Sequence, residues 1–232
     1  MTEKLTAGKT IALIGGTGKE GKGLAYRWLK SGYRVIIGSR QQEKAALAAA
    51  ELQSLFPQAV DVHAMTNIEA ATQADLVVLT VPYGAHRDTL ETLKPYLAGK
   101  VLIDVTVPLV PPRVTRVQLP PAGSAAQEAQ EIVGDVAQVV SAFQNVSYEK
   151  LLSEEIVECD VLVCGGNKAA RASVLELVQA AGLVGYDGGP IENSVVAEGL
   201  TSVLIGINKQ FGVQSAGIRI TGIPRGPENL EI

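Results

Sequence analysis

The sequence predicts an α/β protein: a Rossmann-type, doubly wound parallel sheet with a smaller C-terminal α/β unit. Three observations lead there. Short apolar runs alternate with helix-length segments through the first half of the chain. Several of those runs are apolar at every position, not at every second one. The first passage from strand to helix is a cluster of glycines. A strand that is apolar on both faces must be covered on both, and helical crossovers between parallel strands provide that cover.

The elements follow in order. Lys9 to Ile14 reads as a first strand ending in Gly15 and Gly16. Between Lys22 and Ser31, Leu24, Ala25, Trp28 and Leu29 recur at helical spacing, and Gly32 closes the segment. Arg34 to Ile37 is a second strand. Gln41 to Phe56 is rich in Ala and Leu with Pro57 just beyond, a helix with a defined stop. A third strand is expected near Val60 to Ala64, a short helix over Asn67 to Ala74, and a fully buried strand over Asp75 to Val81. A helix from Ala85 to Leu97, with Pro95 near its end, leads into the strand Lys100 to Val105.

From Thr106 to Gly123 the chain carries Pro108, Pro111, Pro112, Pro120 and Pro121 and reads as a long loop, a kind of segment that is often functional. A helix from Ser124 to Gln138 and a strand from Val139 to Phe143 extend the sheet. The boundary is placed at Asn145, giving residues 1–145 as the nucleotide-binding domain and 146–232 as the smaller unit. That unit would hold a strand from Asp160 to Cys164, a helix from Lys168 to Ala181, a strand near Tyr186 and a terminal helix from Asn193 to Phe211.

With 232 residues, 47% apolar and 19% charged, the chain can bury a substantial core. Aromatics are only 4%, so Ala, Val, Leu and Ile must fill it. A net charge of −4 gives no basic face for nucleic acid. The two cysteines, Cys159 and Cys164, cannot make a four-ligand zinc site and read as packing residues in a reducing compartment. No metal site is expected. The stretch Met1 to Lys9 lacks the apolar core of a signal peptide. The most apolar late stretch, Ser194 to Ile207, is interrupted by Glu198 and falls short of the about 20 apolar residues that span a bilayer. A cytoplasmic protein that avoids membranes is expected.

The strongest local signal is the run Gly15-Gly16-Thr17-Gly18-Lys19-Glu20-Gly21 between the first strand and the first helix. Gly16, Gly18 and Gly21 satisfy G-x-G-x-x-G. Such a turn brings backbone N–H groups close to a pyrophosphate at a helix N-terminus, where a Cβ would obstruct the approach. A glycine triplet alone is weak; inside a βαβ unit it is much stronger. The tip of the second strand then separates the cofactors. An NAD site places a carboxylate roughly 20 residues beyond the loop to bind the ribose 2′-hydroxyl. Here Gly38-Ser39-Arg40 stands there, with Lys44 one helical turn later. A hydroxyl and two cations suit a 2′-phosphate, so NADP(H) is expected. The alternative, Ser39 as a cap and two solvated cations, would leave the choice open.

A catalytic acid is not evident. His63 lies near a strand edge and His86 at a helix start. Tyr26 and Lys30 have the Y-x-x-x-K spacing but sit in the first helix, and no H-E-x-x-H or G-x-S-x-G occurs. Ketone reduction needs a proton donor. Hydride exchange between two redox cofactors needs mainly alignment and exclusion of water.

The run from Ile11 to Ala25, the Val35 to Arg40 segment with Lys44, Leu79 to Pro82, Val107-Pro108, Val139 to Ala142, Val161 to Gly165 and Gly188 to Pro190 together resemble the NADPH-dependent reductases of coenzyme F420, an 8-hydroxy-5-deazaflavin. The resemblance spans nearly the whole chain. It implies a homodimer that passes hydride between NADP(H) and the deazaflavin, with no essential side-chain acid. It implies Thr17, Gly18, Lys19 and Glu20 along the pyrophosphate, with Gly15 and Gly16 in the same cofactor-binding turn, and Ser39, Arg40 and Lys44 around the 2′-phosphate. Val81, Pro82, Tyr83 and Val107 would border the nicotinamide. Gln144 and Asn145, within the strand end Phe143 to Val146, would lie near the deazaflavin together with the terminal helix. Gln144 stands where the family often carries His, and it can donate from its amide without switching charge.

Two other readings stay open: an NADPH-dependent reductase of a flavin, an imine or a metal chelate, and a non-catalytic NADP-sensing module. All three share the phosphate corner. Arg40→Glu is therefore expected to weaken NADPH binding sharply in a fluorescence titration; unchanged affinity would defeat the assignment of that corner.

Overall fold

The computed structural model describes residue 6 and residues 8–223; the opening residues Met1 to Leu5 of the stretch read above for a signal peptide lie outside them. One eight-stranded sheet carries the fold. The strands are β1 (Thr10–Ile14), β2 (Arg34–Ser39), β3 (Val62–Thr66), β4 (Leu76–Leu79), β5 (Val101–Asp104), β6 (Gln138–Ser141), β7 (Asp160–Gly165) and β8 (Val184–Gly189). Their order is β3-β2-β1-β4-β5-β6-β7-β8. The first six are parallel; β7 runs antiparallel to β6, and β8 parallel to β7. The segment expected as a smaller unit after Asn145 thus adds its strands to the edge of the same sheet.

The helices are α1 (Lys19–Lys30), α2 (Gln42–Ser54), α3 (Asn67–Gln73), α4 (His86–Leu93), α5 (Ala125–Val133), α6 (Tyr148–Leu151), α7 (Lys168–Ala180) and α8 (Ser194–Phe211). Two apolar layers flank the sheet. On one side Ile11, Leu13 and Val78 pack with Leu24 and Trp28 of α1, Ala48 of α2 and Val174 of α7. On the other, Ala12, Ile14, Val77 and Leu79 pack with Ala70 of α3, Leu90 of α4 and Ala129 of α5. Successive residues of β1 and β4 alternate between the two layers, the reason these strands are apolar at every position.

Several boundaries differ from the sequence expectation, each for a local reason. α1 begins at Lys19, inside the glycine run, because Gly18 takes the extended N-cap conformation (φ −73°, ψ 167°). The helix expected to reach Leu97 stops at Leu93 and tightens into a 3₁₀ turn over Lys94–Tyr96, as Pro95 lacks the N–H that would continue it. α5 ends at Val133 because Gly134 adopts φ +63°. α6 was not expected; four residues are too few to show a period.

α6 is nonetheless held firmly. Arg27 of α1, buried, donates to the carbonyls of Leu151 (2.7 Å), Lys150 (2.8 Å) and Ser153 (2.7 Å). Gly23 lets Leu151 sit directly on α1: a Cβ there would lie 2.6 Å from the Leu151 Cβ. This clamp sets Tyr148 beside the first turn of α1.

Candidate functional site

Strand register sets the site. Ile14 pairs with Gly38 and Leu79, Leu79 with Asp104, and Asp104 with Ser141, so five strands end level. Chain reversal of order at β1 opens a crevice beyond those ends, between the β1 and β4 connections, where open α/β sheets bind ligands. A single cleft of about 1080 Å³ lies there. Every residue assigned to a cofactor from the sequence lines it except Gly16. Gly16 lies beneath the rim: its N–H goes to the Gly38 (3.0 Å) and Leu13 (3.2 Å) carbonyls, so it packs the turn and does not offer that N–H to a ligand.

The glycines divide by what requires them. Gly15 has φ +73°, and a Cβ there would lie 2.7 Å from Val81 Cγ1. Gly21 must let α1 approach the turn, since a Cβ would lie 2.7 Å from the Gly16 Cα. Gly18 is different: only the Gly15 carbonyl oxygen comes within reach of its added Cβ, at 3.7 Å. The protein's own packing does not demand glycine at 18, and the space beside it belongs to the cleft. As N-cap it makes no side-chain bond, which leaves the first-turn N–H groups of α1 to a ligand. Asn67, at the start of α3, braces the turn from below through a 3.4 Å contact from Gly15 N to its Oδ1. The donor set and the clear space over Gly18 fit a dinucleotide pyrophosphate.

At the β2 end, Ser39 is buried and its Oγ accepts from Gln41 N (3.2 Å). Arg40 and Lys44 are exposed on the cleft wall, and among the described residues neither is tied up by a carboxylate. Lys19 leans the other way: its Nζ lies 4.7 Å from the Tyr148 ring centroid and 3.2 Å from its hydroxyl.

Farther along, Val81, Pro82, Tyr83 and Val107 line the wall, and beyond them Thr201, Leu204, Ile205 and Asn208 of α8. Phe143, buried at the end of β6, has φ +73° and packs edge-on against Trp28 (5.8 Å between centroids). That left-handed turn aims the next residues back at the sheet. Gln144 donates its amide to the Asp104 carbonyl (2.7 Å) and keeps Oε1 buried without a partner. The amide donor foreseen from the sequence is therefore engaged by the protein itself. Asn145 donates to the Ala197 carbonyl (2.8 Å) and Thr201 Oγ1 (3.2 Å), so it latches α8 rather than presenting its amide outward.

Beneath this wall lies a charged cluster. His86 Nε2 and Asp104 Oδ2 are 2.7 Å apart with both side chains wholly buried, and Asp104 Oδ1 accepts from Thr106 N (2.9 Å). Burial would lower the imidazole, but Asp104, aided by Glu128 and Glu198, outweighs it and holds His86 above its ordinary range. Glu198 of α8 accepts from Ala125 N (2.7 Å) and Ala126 N (3.1 Å) at the start of α5; burial pushes its carboxyl up to about 8 despite those bonds. The Tyr83 hydroxyl donates to Glu128 (3.0 Å) and is pushed up to about 12, by burial first and then by that carboxylate. Glu20 also rises to about 8 through burial, with Oε1 unpartnered.

His63 stands at the sheet edge beside Asp61 (2.7 Å), away from the cleft. Tyr26 and Lys30 both bond Glu154, so their dehydrogenase-like spacing serves the α6 region. Cys159 and Cys164 are free and buried, and burial raises both thiols. Among the described residues no group of His, Cys, Asp and Glu could hold a metal ion, and no helix is long and apolar enough to cross a membrane.

Residues 10–108 match the family described as NADP oxidoreductase, coenzyme F420-dependent. The F420-dependent NADP reductase of Methanocaldococcus jannaschii is 38% identical over 221 residues, covering 92% of this chain and 98% of that protein. The enzyme of the same name from Methanothermobacter marburgensis is 40% identical over 222 residues, covering 92% and 99%. Among solved structures, a putative F420-dependent NADP reductase from Arthrobacter superposes with a TM-score of 0.76 at 27% identity, covering 92% of this chain and 99% of that one.

The raised groups fix a pH dependence of stability. Glu20 and Glu198 ordinarily titrate near 4.5 and here near 8. Their contribution is complete below pH 4.5 and is lost as pH rises towards 8, because the unfolded chain sheds protons that the folded one keeps. His86 acts in the same direction, its share being complete below 6.5 and lost as pH passes its elevated folded value. Each retained proton tilts stability by up to about 1.4 kcal/mol per pH unit. Urea midpoints should fall from pH 5 to pH 8 and less steeply in Glu198→Gln; a flat profile for the unaltered protein would mean that these carboxyls are ionised in the fold.

Proposed function

The chain belongs to the F420-dependent NADP reductase family, and from that premise we propose that it exchanges a hydride between NADP(H) and the deazaflavin coenzyme F420 within the one cleft. The observation that carries this reading is continuity: the same cavity runs from the glycine turn and the Ser39–Arg40–Lys44 corner, past Val81–Tyr83 and Val107, to α8. At about 1080 Å³ it exceeds the ordinary range for a single small ligand.

When bound, the two cofactors supply the redox chemistry, one giving up a hydride and the other receiving it. The protein's part is placement. Thr17 and the first-turn N–H groups of α1 would hold the pyrophosphate, and Ser39, Arg40 and Lys44 the 2′-phosphate. Val81, Pro82 and Val107 offer apolar walls that exclude water at the nicotinamide end, where alignment and dryness limit the rate. α8 supplies the far wall, and the segment after Asn145 would form much of the deazaflavin site.

A homodimer goes with this reading. α8 exposes Val196, Val203, Ile207 and Phe211, spaced to form one stripe, and Val117 of the Pro-rich loop packs over Gly199 of the same helix. The occupant we assign to that stripe is a second copy of the chain. A cytoplasmic setting accords with two unpaired thiols and can be checked by cell fractionation.

Purified protein with NADPH should bleach the visible absorbance of oxidised F420 and leave FMN untouched. In Ile205→Trp, which narrows the α8 wall, the KM for F420 should rise several-fold with little change in NADPH affinity. NADPH binding without any reduction of the deazaflavin would refute the assignment. Light scattering is expected to give twice the 24.3 kDa chain mass, and Val203→Glu with Ile207→Glu should give the monomer; a monomeric unaltered protein would remove the dimer.

A further inference from the structure

We propose that Glu20 meets the dinucleotide as a neutral acid, donating its carboxyl hydrogen to a pyrophosphate oxygen, so that NADP(H) binding requires one retained proton. The inference rests on the reading of the cleft as an NADP site and adds a role for a residue otherwise out of place there.

The difficulty that Glu20 poses is chemical. It is the second residue of α1, two positions after the Gly18 N-cap, and lines the cleft where the pyrophosphate would lie. An ionised carboxylate only accepts hydrogen bonds, and so does a phosphate diester oxygen. Two acceptors of like charge cannot bond unless a proton lies between them. The local geometry favours the protonated form. Oε1 is buried with no hydrogen-bond partner, a position costly for an anion and tolerable for a carbonyl oxygen. That leaves Oε2 as the oxygen able to carry the hydrogen into the cleft.

The surrounding charges do not supply a counter-ion. On α1 itself, Lys19 is directed onto Tyr148, and Lys22 bonds Glu51 of α2 at 2.7 Å. Arg40 and Lys44 line the same cleft at its β2 end, and α2 also carries Glu43. α6, packed on α1, carries Tyr148, Glu149 and Lys150, the last of which pairs with Glu155. No one of these forms a hydrogen bond or ion pair with Glu20 among the described residues. Burial pushes the carboxyl up to about 8, while the α1 dipole acts in the opposite sense. The group is thus neutral at neutral pH and can ionise within an accessible range.

The experiment is isothermal titration calorimetry of NADP⁺ into the full chain from pH 7 to 9.5, in buffers of differing ionisation enthalpy. NADP⁺ is a suitable probe because its 2′-phosphate titrates near 6, below this window. The Kd of the unaltered protein should rise roughly eightfold between pH 7.5 and 9, with net proton uptake on binding near pH 8.5. Glu20→Gln keeps an N–H donor and removes the titration, so its Kd should change less than about twofold over that interval and its binding should no longer depend on buffer. A variant that keeps the full pH dependence would overturn the proposal. So would an unaltered protein that takes up no proton near pH 8.5, a test that does not depend on any variant folding. An unaltered protein that binds no NADP⁺ at any pH would overturn the reading of the cleft itself and the proposal with it.

Discussion

Ile14, Gly38, Leu79, Asp104 and Ser141 stand in register across five parallel strands, and the cleft is a consequence of that alignment. Where strands end together, the loops that follow must leave on the same side. The reversal at β1 sends the α1 and α4 connections to opposite faces, which parts those loops. The backbone at Gly15 then comes so near Val81 that no side chain fits between the β1 and β4 turns. The proposed phosphate end and ring end of the cavity are joined at this contact. A one-residue slip of β4 against β1 would separate them, and both apolar layers resist such a slip because it would turn Val77 and Val78 to the wrong faces.

Asp104 extends the same constraint into the wall. Its carboxylate receives His86 from α4 and the Thr106 backbone, and its carbonyl receives Gln144 from the β6 end. Two segments remote in sequence, α4 and the β6 end, meet on one residue. A buried ion pair adds little net stability, since desolvation offsets most of its attraction, but loss of one partner strands a charge. Its effect is to specify one arrangement of these loops. α8 is tied to that arrangement through Glu198 on α5, Asn145 on the Ala197 carbonyl and Thr201 on the Gln144 carbonyl. The helix that closes the far end of the cleft is thereby referenced to the strand tips.

The legible part of this molecule was the part governed by local rules. The glycine turn, the Ser39–Arg40–Lys44 corner and the alternation of strands and helices depend on neighbours within a few residues, so spacing alone exposes them. The membership of the ring-end wall came from the resemblance, not from periodicity. What lay hidden depends on distant partners. Nothing near Gln144 in sequence indicates that its amide is engaged by Asp104, nor does anything near His86 mark its burial against that carboxylate. Tyr148 escaped notice because α6 is a single turn held in place by Arg27 from α1. Asn67 carried a weak signal: a polar residue opening a helix just past a strand that pairs level with Gly38.

The distribution of titratable groups bears on the chemistry. Near the proposed ring end, the groups that could exchange protons are withdrawn. His86 and Asp104 are sealed beneath the wall, and the Tyr83 hydroxyl is committed to Glu128 and held neutral. Val81, Pro82 and Val107 face the cavity there, and the non-titrating Gln144 amide is turned onto the Asp104 carbonyl. A ketone reductase with this layout would lack a donor for its developing alkoxide. Hydride transfer between two conjugated rings develops no alkoxide at this wall, so the layout suits it without a side-chain acid there. The raised carboxyl that does reach the cavity, Glu20, lies at the phosphate end. The titrating carboxyl and the proposed ring site thus lie at opposite ends of one cleft.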